Sequence, residues 1–370
     1  MPLRTYYIDR LRVLLTALVL FHHAAITYGA AGGWFYYELH PSAAPSSLAL
    51  TTFVAINQAF FMGFFFLLAG YFTPGSYDRK GWRRFLLDRA IRLGIPLLFF
   101  IVVLAPLTIA IAQKTPWRDL PAFWIYLMKH RVIVNGPLWF AQALLIFCVG
   151  YCLWRAWRGS VQKKQDLALP GGSSWLYAAL AIAAVAFLVR LWIPVGENVF
   201  GLQLAYFPAY IFLFALGCTA WRGDWLDRVT RVRARSWAII AICVAPVLPI
   251  TIILTARYGG PNNAYGGGFN LRAALYALWE PFVAWGIMAW LIVSFRDRWN
   301  APSRLWEFLG GQAYAVYIIH PPLLVGVALL LHSWHAPALA KFAVTGSLTC
   351  LVCVVCSALL LRIPGISRVV

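Results

Sequence analysis

The chain is poor in charge, and poorest in negative charge. Of 370 residues only 12% are charged, and Asp plus Glu number 12 against 31 Lys plus Arg, a formal net charge of +19. With 62% hydrophobic residues, so little charge excludes a water-soluble enzyme, where about a quarter of residues are charged. The basic surplus does not indicate nucleic acid either, because it is spread over segments between apolar runs and no recognition motif accompanies it. No internal repeat suggests the duplicated halves of a transporter. None of the cysteines, Cys148, Cys152, Cys218, Cys243, Cys350, Cys353 and Cys356, lies outside an apolar run, so no disulfide framework is expected. Cys350, Cys353 and Cys356 recur every third residue, yet they have no charged or His neighbour; they read as small packing residues, and no metal site is expected.

What the chain does have is long apolar runs. Crossing a hydrocarbon core of roughly 30 Å takes about 20 apolar residues in a helix, and ten such runs occur: 11–30, 49–72, 93–112, 137–155, 175–193, 203–221, 236–256, 273–294, 311–331 and 339–361. The 18 Trp and 17 Tyr suit side chains at two membrane interfaces. With the N-terminus in the cytoplasm, 23 of the 31 basic residues fall on the inner side, among them Arg4, Lys163 and Lys164. Seven, including Arg131, Arg272 and Lys341, fall outside, and Arg190 stays within the fifth run. The positive-inside rule then predicts an all-α polytopic membrane protein with about ten transmembrane helices and both termini cytoplasmic. A single membrane domain, 1–370, is expected. The first run is read as a span and not as a cleaved leader, because it carries two histidines.

Ionisable groups inside a membrane are costly, so each is a functional candidate. Arg12 and His23 are eleven residues apart, which on a helix leaves their directions about 20° from one another, with His23 carried about 16 Å inward. His22 is turned about 100° away, so the two histidines meet different surroundings. A neutral imidazole near the middle of the bilayer can serve as a general base, or it can simply be satisfied by a neighbouring helix. Arg89 and Arg92, three apart at the entrance of the third run, match a phosphate-bearing headgroup or form an ordinary positive-inside cluster.

Taken together, these residues carry a resemblance. The spacing Arg12-x10-His23, the pair Arg89-x-x-Arg92, the run Phe65-Phe66-Leu67-Leu68-Ala69-Gly70-Tyr71-Phe72, the segment Pro137-Leu138-Trp139-Phe140 and the segment Ala315-Val316-Tyr317-Ile318-Ile319-His320-Pro321 occur in this order. In them the chain resembles the acyltransferase 3 family of integral membrane acyltransferases over nearly its whole length. The Tyr6-Tyr7-Ile8-Asp9 lead-in, with no fused extracytoplasmic esterase-like domain, is most similar to the stand-alone, succinyltransferase-like branch of glucan biosynthesis.

The resemblance implies transfer of an acyl group from cytoplasmic acyl-CoA, acetyl-CoA or succinyl-CoA, to a hydroxyl of an extracytoplasmic carbohydrate or glycan, by a multi-pass protein of the cell (inner, cytoplasmic) membrane. It puts the essential histidine on His23, its arginine partner on Arg12, and the arginine pair on Arg89 and Arg92. Arg12 then either stabilises the donor or fixes the helix at the interface. Other candidates keep two roles open. Glu280 either orients a sugar hydroxyl or pairs with an imidazole, or else it is bound to Arg272 or another buried cation. His320 either lines the same cavity or serves packing at the Pro321-Pro322 break. Gln142, with Asn57 and Gln58, donates to a thioester carbonyl or ties helices together, and Trp139 stacks on a sugar or anchors the interface. The competing function is a proton-coupled transporter or flippase of an envelope precursor, using the same intramembrane His and Glu.

Overall fold

The computed structural model describes residues 5–130, 132–159, 167–258 and 262–369; Arg4, Arg131, Lys163 and Lys164, counted above toward orientation, lie outside the described residues. Among the described residues the regular structure is helical, and isolated bridges join only Tyr28 to Leu39 and Val199 to Leu202. Nine helical runs there are long and apolar enough to cross a membrane: α1 (Tyr6–Thr27), α2 (Pro45–Ala112), α3 (Gly136–Arg158), α4 (Gly172–Arg190), α5 (Leu204–Arg222), α6 (Arg231–Thr255), α7 (Leu271–Arg298), α8 (Arg304–Leu330) and α9 (Ala338–Leu360). The protein is a multi-pass membrane protein.

Nine runs replace ten because α2 holds both the second and the third expected span. Helical hydrogen bonding continues through the basic segment between them, and only Gly81, at φ 70° and ψ 165°, leaves helical geometry. Further on, α2 widens into two π-helical turns, Ala90–Gly94 and Phe100–Leu104. Each is followed two residues later by a proline, Pro96 or Pro106. A proline has no N–H for the carbonyl four residues back, so these two free the carbonyls of Arg92 and Val102. Inside a membrane such groups must find another donor. Tyr314 Oη donates to Arg92 O at 2.8 Å, and Trp124 Nε1 donates to Val102 O at 2.8 Å.

The chain forms two compact units interleaved in sequence. The first comprises the described chain up to Leu11, Ala55–Phe85 and the described parts of Phe147–Ser303. In it α7 packs on α4 and on α6. Also in this unit, α2 crosses α5 where Gly70 and Gly217 face backbone: a Cβ on Gly70 would overlap the Phe214 carbonyl, and one on Gly217 would overlap the Leu67 carbonyl. The Phe65–Phe72 motif is therefore a close helix crossing of the small-residue kind. The second unit comprises Arg12–Val54, the described parts of Leu86–Ile146 and the described chain from Arg304 onward. Here α8 packs on α9 and on the end of α2, Ala105–Ala112. The body of α1 meets α9 where Gly346 leaves room for the Phe21 ring.

Candidate functional site

His23 lies one turn before the end of α1, and the sequence dictates that end. Gly29, at φ +108°, takes the left-handed conformation that glycine tolerates best. Its N–H donates to Ile26 O at 3.3 Å, while Ala30 N–H donates to Ala25 O at 2.9 Å, the two bonds of a Schellman cap. The chain then folds back on the helix end, with the Glu38 and Leu39 N–H groups both donating to Thr27 O. Tyr37 Oη accepts from the Trp34 N–H at 2.8 Å and donates to Gly32 O at 3.0 Å. Lys341 of α9 donates to the Glu38 carboxylate, both side chains being buried. Close to that carboxylate, burial and the negative charge of Glu38 hold the Tyr36 hydroxyl above its ordinary pKa, so it stays protonated.

The outcome of this fold-back is a stack of rings. The Trp34 indole lies on the His23 imidazole with centroids 3.7 Å apart and planes 13° apart. On α8 the His320 ring lies 5.4 Å from His23 at 12° and 5.9 Å from Trp34 at 6°. His22 is buried whereas His23 is only partly so, and the two rings stand at 86° to one another.

The tautomer of His320 follows from its neighbour. Pro321 has no N–H for the Tyr317 carbonyl, and His320 Nδ1 lies 2.7 Å from that oxygen. A carbonyl only accepts, so Nδ1 carries the proton and, in the neutral ring, Nε2 carries the lone pair. His320 is fully buried, and its Nε2 has no hydrogen-bond partner among the described residues. The same holds for His23 Nδ1 and for Trp34 Nε1. Three polar atoms in one stack thus lack partners, in a region where each costs roughly 1–3 kcal/mol to bury unsatisfied.

From this stack a series of aromatic contacts runs down α8. The Tyr317 ring is 6.0 Å from His320, and Tyr314 stacks on Tyr317 at 6.4 Å and 15°. Tyr317 Oη donates to Pro137 O, at the start of α3. Tyr314 Oη donates to Arg92 O, so the series joins the backbone of the basic segment to His23.

Of the residues singled out from the sequence, Arg12, His23, Arg89, Arg92, Trp139, Gln142 and His320 belong to the second unit. Arg12 is partly exposed on α1. Arg92, inside a π turn, is exposed and lies 3.8 Å from Asp88, whereas Arg89 is partly buried, so the two forks are not equivalent. Gln142 Oε1 accepts from Asn135 Nδ2 at 2.8 Å, tying the start of α3 to the loop before it. Trp139 is the first residue after the 3-10 turn Gly136–Leu138. Trp34, Tyr314 and Tyr317 carry much of the site and were not singled out as site residues. The signal that could have found Tyr314 and Tyr317 is their spacing of six and three residues before His320, each ring being one i,i+3 step from the next; for Trp34 there was none.

Glu280 belongs to the first unit, and the buried cation beside it is Arg190, with Arg190 Nη2 to Glu280 Oε2 at 2.5 Å. Arg190 Nε donates to Ala205 O at 3.2 Å, and its guanidinium lies 5.3 Å and 5.0 Å from the ring centres of Tyr206 and Tyr276. Gln58 Nε2 donates to Tyr210 Oη at 3.0 Å in the same unit.

Nine apolar helices define a polytopic membrane protein, and one of its units holds two stacked imidazoles, of which His320 is fully buried and His23 partly buried. The chain belongs to the acyltransferase 3 family, whose acyltransferase domain matches residues 5–361, and it is an acyltransferase. Among its relatives are the proteins named glucans biosynthesis protein C of Salmonella paratyphi B, Salmonella heidelberg and Salmonella enteritidis. Each is 24% identical over 339 residues, covering 86% of this chain and 82% of the relative. No solved structure matches the chain.

Proposed function

We propose that the protein transfers an acetyl or succinyl group from cytoplasmic acyl-CoA to a hydroxyl of a glycan at the outer face of the cytoplasmic membrane, with the His23 and His320 pair handling the proton. The observation that carries this reading is the ring stack itself: two imidazoles with centroids 5.4 Å apart, that of His320 having Nδ1 hydrogen-bonded to a carbonyl and so, in the neutral ring, its lone pair on Nε2. An acceptor O–H gives its proton to an imidazole as its oxygen attacks the thioester carbon. Collapse of the tetrahedral intermediate breaks the C–S bond, and the imidazolium returns the proton to the departing coenzyme A sulfur.

Arg89, Arg92 and Arg12 hold the phosphates of the donor from the cytoplasmic side, which fits the excess of basic residues predicted there. Trp139 and Gln142 contact the reacting groups from the start of α3. The glycan acceptor is supported by the names of the relatives, at 24% identity.

The test is transfer from labelled acetyl-CoA or succinyl-CoA to a glucan acceptor by the protein in liposomes. Label should move to the glucan with one of the two donors. Uptake of a precursor without any acyl-CoA, and no label on the glucan, would instead favour a transporter.

A further inference from the structure

We infer that Trp34 is a catalytic residue, the donor that its indole N–H supplies to the oxyanion of the acyl-transfer step; the inference rests on acyl transfer at the His23 and His320 pair. Three observations carry it. Trp34 Nε1 is buried with no acceptor among the described residues. An indole N–H can only donate, so the cost of burying it is offset only when an acceptor arrives from outside the chain. Of the two atoms left without partners beside it, His23 Nδ1 and His320 Nε2, the latter is an acceptor in the neutral ring, so the stack can take up at least one donor and one acceptor. A hydroxyl attacking a thioester carbonyl brings both, its O–H to an imidazole and the carbonyl oxygen to the indole.

The donor is also held in place before any substrate binds. The Trp34 backbone N–H donates to Tyr37 Oη, and the segment that carries Trp34 is fixed before it by the Schellman cap at Gly29 and after it by the Lys341 to Glu38 bridge. Preorganisation of this kind is what makes a single oxyanion donor effective. In the step itself the carbonyl oxygen takes up the electron pair of its π bond as the new C–O bond forms. The indole N–H donates to that oxygen, and the charge returns to carbon as the C–S bond breaks.

The experiment compares the wild type with Trp34→Phe and with Trp34 replaced by 3-benzothienylalanine, which keeps the bicyclic shape and puts sulfur where the N–H was. Both should lose about 100-fold in kcat, with the KM for acyl-CoA unchanged within about twofold. The benzothienyl variant guards against a loss of folding in the phenylalanine variant. Wild-type kcat in the benzothienyl variant overturns the inference, because the ring and not its N–H would then be what matters. His23→Ala in the same assay separates the two readings. If it is inactive while the Trp34 variants are normal, only the oxyanion donor is wrong. If it is fully active, acyl transfer at this pair is wrong, and the Trp34 inference falls with it.

Discussion

Each of the two units buries a polar cluster, and the clusters are built on opposite principles. In the first unit, Arg190 and Glu280 neutralise one another at 2.5 Å, a backbone carbonyl accepts from Nε and two tyrosine rings flank the cation. One nitrogen, Nη1, has no hydrogen-bond partner among the described residues. Arg190 helps line a cavity of about 30 Å³, room for about two water molecules. In the second unit no counter-charge sits in the ring stack of Trp34, His23 and His320, and each ring keeps a buried nitrogen without a partner. On the proposed reading, the unmatched polar atoms of the ring stack, which cost stability, serve a ligand, whereas the Arg190 to Glu280 pair serves the fold.

The comparison predicts opposite mutant phenotypes. His320→Gln should lower acyl transfer by about a thousandfold through loss of general-base function, while the thermal midpoint of the purified protein stays near that of the wild type. Glu280→Gln should do the reverse. A buried guanidinium left without its counter-charge costs about 3–5 kcal/mol, seen as a large fall in thermal midpoint, while the fraction that remains folded keeps its kcat. If Glu280→Gln were stable and inactive, the division between framework and site would be wrong.

Smaller effects sharpen the boundary of the site. Arg89→Ala and Arg92→Ala should each raise the KM for acyl-CoA about tenfold, the loss of one charge-assisted contact, and leave kcat alone. Unequal values are expected, because Arg89 is partly buried and Arg92 is exposed. Pro321→Ala has a distinctive signature. The restored N–H competes with His320 Nδ1 for the Tyr317 carbonyl, so kcat should fall several-fold although the helix gains stability from the loss of a proline. A variant both less active and less stable would contradict the tautomer lock.

Much of the fold was legible in the sequence, since 20-residue apolar runs leave few alternatives. The continuity of α2 was not, because Gly81 and the basic residues around it look like a loop while the backbone there stays mostly helical. Helical rotation gave His22 and His23 different directions, and Arg12 and His23 a common one, from the sequence alone. Trp34 could not be read: it is one of 18 tryptophans, and its position over His23 depends on a glycine cap, a loop and a bridge to Lys341, 307 positions further on. The partner of Glu280 was open for a similar reason. Arg190 and Glu280 lie at matching depths of helices far apart in sequence, which no local pattern encodes. The prolines were more informative than they looked. Pro96, Pro106 and Pro321 each free a carbonyl, and in all three cases an aromatic or imidazole side chain donates to it.

The central claim is that the unmatched ring stack is the acyl-transfer site. It is tested most directly by single-turnover transfer of a labelled acyl group from acyl-CoA to a glucan in proteoliposomes, wild type against His23→Ala. The account predicts that the variant folds, still gains thermal protection from coenzyme A and loses transfer by about a thousandfold. Transfer by the variant at the wild-type rate would contradict it.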